Sequence, residues 1–190
     1  LLKGGDNNLL SFCINYLNNI GFNVLDLRKI IPENFLSLGN ITKVNLSKRI
    51  LDDIKKGKVI LDYISKFDIG QSLVIQSGNV IGIEAAQGTD KLIKDSYNYL
   101  NKNEKSILVK LAKVKQNLKA DLPTIGVKTL KNCNKFGISG IAYSANKTLF
   151  INKQEVLKYC KLNNMFLYGV WLVRIVILAT EPSGDFLGSK

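Results

Sequence analysis

Apolar residues recur at helical spacing from the start of the chain. Leu9, Phe12, Cys13, Tyr16, Leu17 and Ile20 follow Asp6 at intervals of one, three and four, and Gly21 stops the run. Phe22 to Leu27 is short and apolar and predicts a strand. Pro32 and Gly39 punctuate a loop. Ser47 then opens a second helical pattern through Ile50, Ile54, Leu61 and Ile64. The period changes after that. Ser72 to Gln76 and Val80 to Ala85 are apolar runs on either side of Ser77-Gly78-Asn79, which predicts a β-hairpin.

The alternation continues. Thr89 or Asp90 can cap a helix carrying Leu92, Ile93, Tyr97 and Leu100. Ile107 to Leu111 predicts a strand. Thr124 can cap a helix to Phe136 that Gly137 ends. "ISGIAYSANKTLFI" predicts two more strands about a turn at Asn146. Asn152 opens a helix to about Leu162, and Met165 to Val170 and Val173 to Ala179 predict closing strands. Strands alternating with helices, with two hairpins among them, predict an α/β fold with a mixed β-sheet and flanking helices. No repeat or low-complexity segment interrupts it.

Composition narrows the chemistry. A chain of 190 residues has room for one domain, and 46% hydrophobic content can fill a core. The net charge of +12 favours anionic partners, namely phosphates, nucleic acid or an anionic membrane surface, although Lys- and Asn-rich residue usage contributes to it. There is no histidine, so histidine nucleophile activation, acid–base catalysis and metal ligation are excluded. Cys13, Cys133 and Cys160 show no C-x-x-C spacing. Cys13 and Cys160 sit where a small apolar residue suits a helix core, and the usage fits a reducing compartment. No signal-peptide pattern is present. The apolar run Met165 to Ala179 is broken by Arg174 and is short for a membrane span, so it reads as buried strands.

Three stretches place polar groups at strand ends and helix starts, where sheets deliver function. In "IEAAQGTD", Gly88 permits close backbone approach and Thr89-Asp90 opens a helix, so free N–H groups suit a phosphate or the pair simply caps. Asp68-Ile69-Gly70-Gln71 leads into the hairpin, with Gln76 near its turn. "SILVKLAKVKQNLKADLPTIG" sets Lys110, Lys113, Lys115 and Lys119 before Asp121. Lysines there can neutralise a diphosphate, and Asp121 can hold Mg²⁺ or orient a water; alternatively the lysines are solvated and Asp121 caps the next helix. There is no Walker spacing. Nucleic acid is not expected, because no aromatic stripe is interleaved with the charge.

"GGDNNLL", "DIGQSLVIQSGNVIGIEAAQGTDKL", "LVKLAKVKQNLKADLPTIGVKTL", "GISGIAYSA" and "LNNMFLYGV" occur in an order that resembles one family. It is the C-terminal domain of the bacterial UDP-2,3-diacylglucosamine pyrophosphatases of lipid A biosynthesis, the type unrelated to calcineurin and found in many alphaproteobacteria. The resemblance covers Gly4 to Val170 and implies one domain over residues 1–170. It implies Mg²⁺-dependent hydrolysis of UDP-2,3-diacylglucosamine to UMP and 2,3-diacylglucosamine 1-phosphate. The place implied is cytoplasmic, peripheral at the inner membrane, with the substrate held against an N-terminal domain that this sequence lacks. Asp121 falls on the carboxylate of the family's "DLPTIG" motif and is expected to be the catalytic one. Gln71, Gln76, Gly88, Thr89, Asp90, Lys110, Lys113 and Thr124 are implied to bind substrate, and Asp121 with Asp90 to hold the metal.

The sequence also departs from the family pattern. Val114 stands for a proline, Asn117 for an aspartate, Lys119 for an arginine and Gln87 for a glutamate. Gln87, Val114 and Asn117 favour an alternative, a non-catalytic remnant that binds the nucleotide-lipid or an anionic membrane surface. Residues 171–190, ending "VRIVILATEPSGDFLGSK", resemble the start of lipid-A-disaccharide synthase, with Thr180 in place of a glycine. They imply an incomplete second segment, from a fused or read-through gene pair.

Overall fold

The computed structural model describes residues 6–114 and 116–171. In chain order the helices and strands are α1 (Asp6–Asn19), α2 (Leu27–Ile30), β1 (Gly39–Asn40), α3 (Lys48–Ile64), β2 (Ser72–Gln76), β3 (Asn79–Ile83), α4 (Gly88–Ser96), β4 (Ile107–Lys110), β5 (Thr124–Ile125), α5 (Val127–Lys135), β6 (Gly140–Ser144), β7 (Leu149–Phe150), α6 (Lys153–Leu162) and β8 (Phe166–Val170). Six strands form one sheet in the order β1-β8-β6-β4-β2-β3. The centre, β4-β6-β8, is parallel, and β2, β3 and β1 join antiparallel to their neighbours. The sheet is mixed, as the alternation predicts.

Strand alternation produces two cores. Val74, Leu108, Ile141 and Leu167 face Leu92 and Ile93 of α4, Leu130 of α5 and Val156 of α6. Their neighbours Leu73, Ile75, Ile107, Val109, Ala142 and Phe166 face the other way, onto Ile50, Ile54 and Leu61 of α3. The result is a three-layer sandwich with the sheet buried on both sides, which is why its strands read as near-continuous apolar runs. Ser47 caps α3 as expected, its Oγ accepting from Ile50 N at 3.4 Å. Asp53 points from α3 to the hairpin turn and accepts from Ser77 N at 2.8 Å and Gly78 N at 2.7 Å.

Several local expectations are corrected. Phe22 to Leu27 forms no strand. Asp26 caps α2 instead, accepting from Arg28 N at 3.0 Å and pairing with the guanidinium at 2.5 Å. α4 begins at Gly88, so Thr89 and Asp90 lie inside its first turn rather than capping it. Thr124 lies in β5 and caps nothing; α5 starts after Gly126. The strands around Asn146 do not form a hairpin. Asn146 turns the chain at φ +57°, but β7 leaves the main sheet and pairs in parallel with β5, with Leu149 N donating to Pro123 O and Ile151 N to Ile125 O. Cys13 is exposed, since α1 turns Ile14 inward, whereas Cys160 is buried. The strand expected at Val173 to Ala179 and the synthase-like ending of residues 171–190 lie, apart from Trp171, outside the described residues. Among the described residues no helix is long and apolar enough to cross a membrane.

Candidate active site

The carboxyl ends of the parallel strands form the edge where open α/β sheets bind ligands. Lys110 ends β4 there. Ser72 opens the antiparallel β2 beside it, in register with Lys110. β3 returns to the same edge and runs into Glu84, and α4 starts three residues after Ala85. The chain packs very tightly at this point. A Cβ on Gly70 would stand 2.1 Å from Glu84 O, so only glycine fits.

The centre of the edge is a buried polar cluster. Lys110 Nζ donates to Thr89 Oγ1 at 2.7 Å, and the Thr89 hydroxyl donates to Glu84 Oε1 at 2.6 Å. Glu84 Oε2 accepts from Gln71 N at 3.2 Å. Thr89 thus relays between a buried cation and a buried carboxylate. Burial pulls the Lys110 ammonium below the usual lysine range, and the charges of Glu84, Asp90 and Asp121 offset only part of that. Burial pushes the Glu84 carboxyl up, but Thr89, the Lys110 charge, Ser72 and the Gln71 N–H together outweigh it and hold Glu84 below its ordinary value. Asp90 is also held low, first by Lys128 at 3.1 Å, and Asn132 Nδ2 donates to its other oxygen at 3.1 Å.

The loop after β4 brings Asp121 to this edge. Gln116 Oε1 accepts from Lys113 N at 2.9 Å, and its Nε2 donates to Asp121 Oδ2 at 2.5 Å. Asp121 Oδ1 takes no hydrogen bond among the described residues. A cavity of about 370 Å³ opens beside the cluster, lined by Asp68, Gly70, Gln71, Glu84 and Lys113, with Lys113 and Asp68 ion-paired at its wall. Gln71 Oε1 is buried with no hydrogen-bond partner. A buried acceptor left open beside a cavity is the kind of group a ligand or water satisfies.

The fold therefore gathers Gln71, Thr89, Asp90, Lys110, Lys113 and Asp121, with Gly88 at φ +75° starting the helix that carries Thr89. It does not gather Gln76. Gln76 lies at the opposite end of β2, where its amide donates to Asn101 O and Glu104 O and accepts from Asn101 N. The Thr124 hydroxyl donates to Leu122 O at 2.9 Å. Sequence reasoning missed Glu84 and Gln116. A carboxylate ending the apolar run "VIGIE" was the signal for the first; nothing distinguishes the second from a solvated glutamine. Two of the departures have local roles. Gln87 accepts from Ala85 N and donates to Ile83 O, and a glutamate carboxylate could not make the second bond. Asn117 donates to Ser11 of α1 at 3.4 Å and accepts from Lys119 N.

The family described as the LpxI C-terminal domain matches residues 37–168. A curated protein of Caulobacter vibrioides, the UDP-2,3-diacylglucosamine pyrophosphatase LpxI, is 28% identical over 174 residues. The match covers 88% of this chain and 62% of that relative, so the chain spans less than two thirds of the relative's length.

Proposed function

This chain belongs to the LpxI C-terminal domain family, and on that premise we propose that it carries the reaction centre of a UDP-2,3-diacylglucosamine pyrophosphatase. The enzyme would be cytoplasmic and peripheral at the inner membrane, completed by an N-terminal domain. Water adds to one phosphorus, the anhydride P–O bond breaks, and UMP and 2,3-diacylglucosamine 1-phosphate are released. The observation that carries this reading is the buried Lys110–Thr89–Glu84 relay beside a polar cavity. Lys110 uses one of its N–H donors on Thr89 and bonds no other described residue, which leaves donors for a phosphate oxygen. The first turn of α4 adds positive potential on the same side, while the Lys113 charge is offset by its ion pair with Asp68.

Mg²⁺ fits the donors, which are hard oxygens. Asp121, through its unbonded oxygen, would hold it, with phosphate oxygens and waters completing the shell; Asp90, whose two oxygens bond Lys128 and Asn132, would have to release one of them to join it. No group of three or more Cys, Asp or Glu able to hold a metal occurs among the described residues. Bound there, Mg²⁺ would offset charge on the departing phosphate. Asp121 would orient the attacking water or the ion, and Gln116 would fix its carboxylate.

The test is UMP release from UDP-2,3-diacylglucosamine with and without Mg²⁺, using the chain joined to a family N-terminal domain. Asp121→Ala should lower turnover about 10²–10⁴-fold with the fold intact. Retained turnover in that variant removes the assignment of Asp121, and turnover unaffected by chelation removes the metal.

A further inference from the structure

We infer that the outward face of α3 is the surface by which this protein settles on an anionic lipid bilayer. The inference takes its orientation from the reading above, but not its test. α3 buries Ile50, Ile54 and Leu61 against the sheet. Its opposite side carries Val59 and Tyr63, and the following turn Phe67, at four-residue intervals and 67%, 60% and 65% exposed. The Tyr63 and Phe67 rings lie 6.2 Å apart, and the Lys66 ammonium stands 5.0 Å over Tyr63. Ile69, also exposed, extends the stripe to the rim of the cavity lined by Gln71 and Lys113. Single exposed apolar residues are ordinary; a contiguous stripe signals a partner.

The surrounding charge identifies that partner. Asp52 is matched by Lys55 at 3.7 Å and Asp62 by Lys58 at 2.6 Å, which leaves the charges of Lys66, beside the rings, and of Lys56, whose ammonium donates to Gly78 O at 2.6 Å, without an acidic partner among the described residues. Rings set between lysines suit a lipid–water boundary. The rings enter the acyl layer, while lysine stems lie along it and their ammonium groups meet anionic headgroups. Nucleic acid fits less well, because Val59 and Ile69 offer no face for a base to stack on. Position agrees with charge. The stripe runs into the cavity mouth, so a diphosphate-linked lipid would reach Lys113 and Gln71 without leaving the bilayer.

The experiment is vesicle flotation of the full chain on phosphatidylcholine with and without phosphatidylglycerol. Vesicles with about 30 mol% phosphatidylglycerol should bind at least about tenfold better, and about 0.5 M salt should weaken that binding. Tyr63→Ser with Phe67→Ser should lose about tenfold, whereas Leu162→Ser, exposed on the other side of the sheet, should not. Phe67→Trp should show a blue-shifted emission, quenched by brominated lipid, on anionic vesicles alone, beyond the background that Trp171 gives in the parent chain. Absence of binding, an equal loss in Leu162→Ser, or an unshifted emission from the Phe67→Trp variant overturns the proposal. So does self-association in solution that Tyr63→Ser with Phe67→Ser abolishes, since the stripe would then join two copies. The vesicles contain no nucleotide, so failure here leaves the pyrophosphatase reading standing. UMP release in detergent micelles tests that reading separately.

Discussion

Thr89→Val keeps the shape of the side chain and deletes the hydroxyl on which two buried charges depend. In the wild type that oxygen accepts from Lys110 at 2.7 Å and donates to Glu84 at 2.6 Å. Hydrogen bonds to charged groups contribute about 1.5–3 kcal/mol each, and orphaned buried partners cost more than the mean bond. Partial compensation, by solvent reaching Lys110 and by the added methyl, brings the expected loss to about 3 kcal/mol at neutral pH. Thr89→Ser should lose less than about 1 kcal/mol, because the hydroxyl remains. Urea denaturation reads both; with a slope of about 2 kcal/mol/M the valine midpoint falls by about 1.5 M. The pH dependence tests the cause. Glu84 is held below its ordinary value in the native state, so its contribution is present above the unfolded carboxyl value and is lost as pH falls through the lower native one. Without Thr89 the native value rises. The gap between wild type and variant must therefore grow with pH across the carboxyl range and close in acid. An equal loss at pH 7 and pH 4, or no loss at pH 7, refutes the relay.

Two further outcomes follow from packing. Gly70→Ala drives a methyl to within 2.1 Å of Glu84 O and should cost about 3 kcal/mol, read as a fall in melting temperature; an unchanged melt refutes the close approach. An aromatic disulfide reagent should react rapidly with one thiol, Cys13, and with Cys133 and Cys160 only after unfolding. Burial raises both inner thiols, Cys160 to about 12, and keeps them from water, so three fast thiols would contradict the core.

The sheet's centre was legible because double burial writes itself as uninterrupted apolar runs; Leu73 to Ile75 and Ile107 to Val109 need no partner to be recognised. α3 was legible for its period and its Ser47 cap. What failed were segments whose structure depends on distant pairing. β5 and β7 are two residues each and exist only because they pair with one another. Phe22 to Leu27 has strand composition, but no sheet edge meets it, and the Asp26 cap settles the local contest. At the site, the motif resemblance picked out Lys110, Thr89 and Asp121, yet not Glu84, the carboxylate to which Thr89 donates. A glutamate at a strand end is ordinary in sequence; only its burial under Lys110 makes it informative. Gln76 was the converse case, placed by motif beside Gln71 and by the β2 strand at the far edge.

A cation buried as deeply as Lys110 weakens a fold unless something compensates it. Glu84, Asp90 and Asp121 all act on it, and burial still lowers its proton affinity. The compensation is incomplete, and the manner of incompleteness is informative. Glu84 spends both oxygens, on Thr89 and on Gln71 N, and Asp90 spends its pair on Lys128 and Asn132. The acids nearest Lys110 are thus already bonded elsewhere, while Lys110 retains unused N–H donors and Gln71 an unused buried acceptor. A site finished for stability alone would have closed these bonds on each other. Open donors on Lys110 and an open acceptor on Gln71, at the carboxyl edge of a parallel sheet, suit the proposed phosphate ligand, which arrives with its own oxygens.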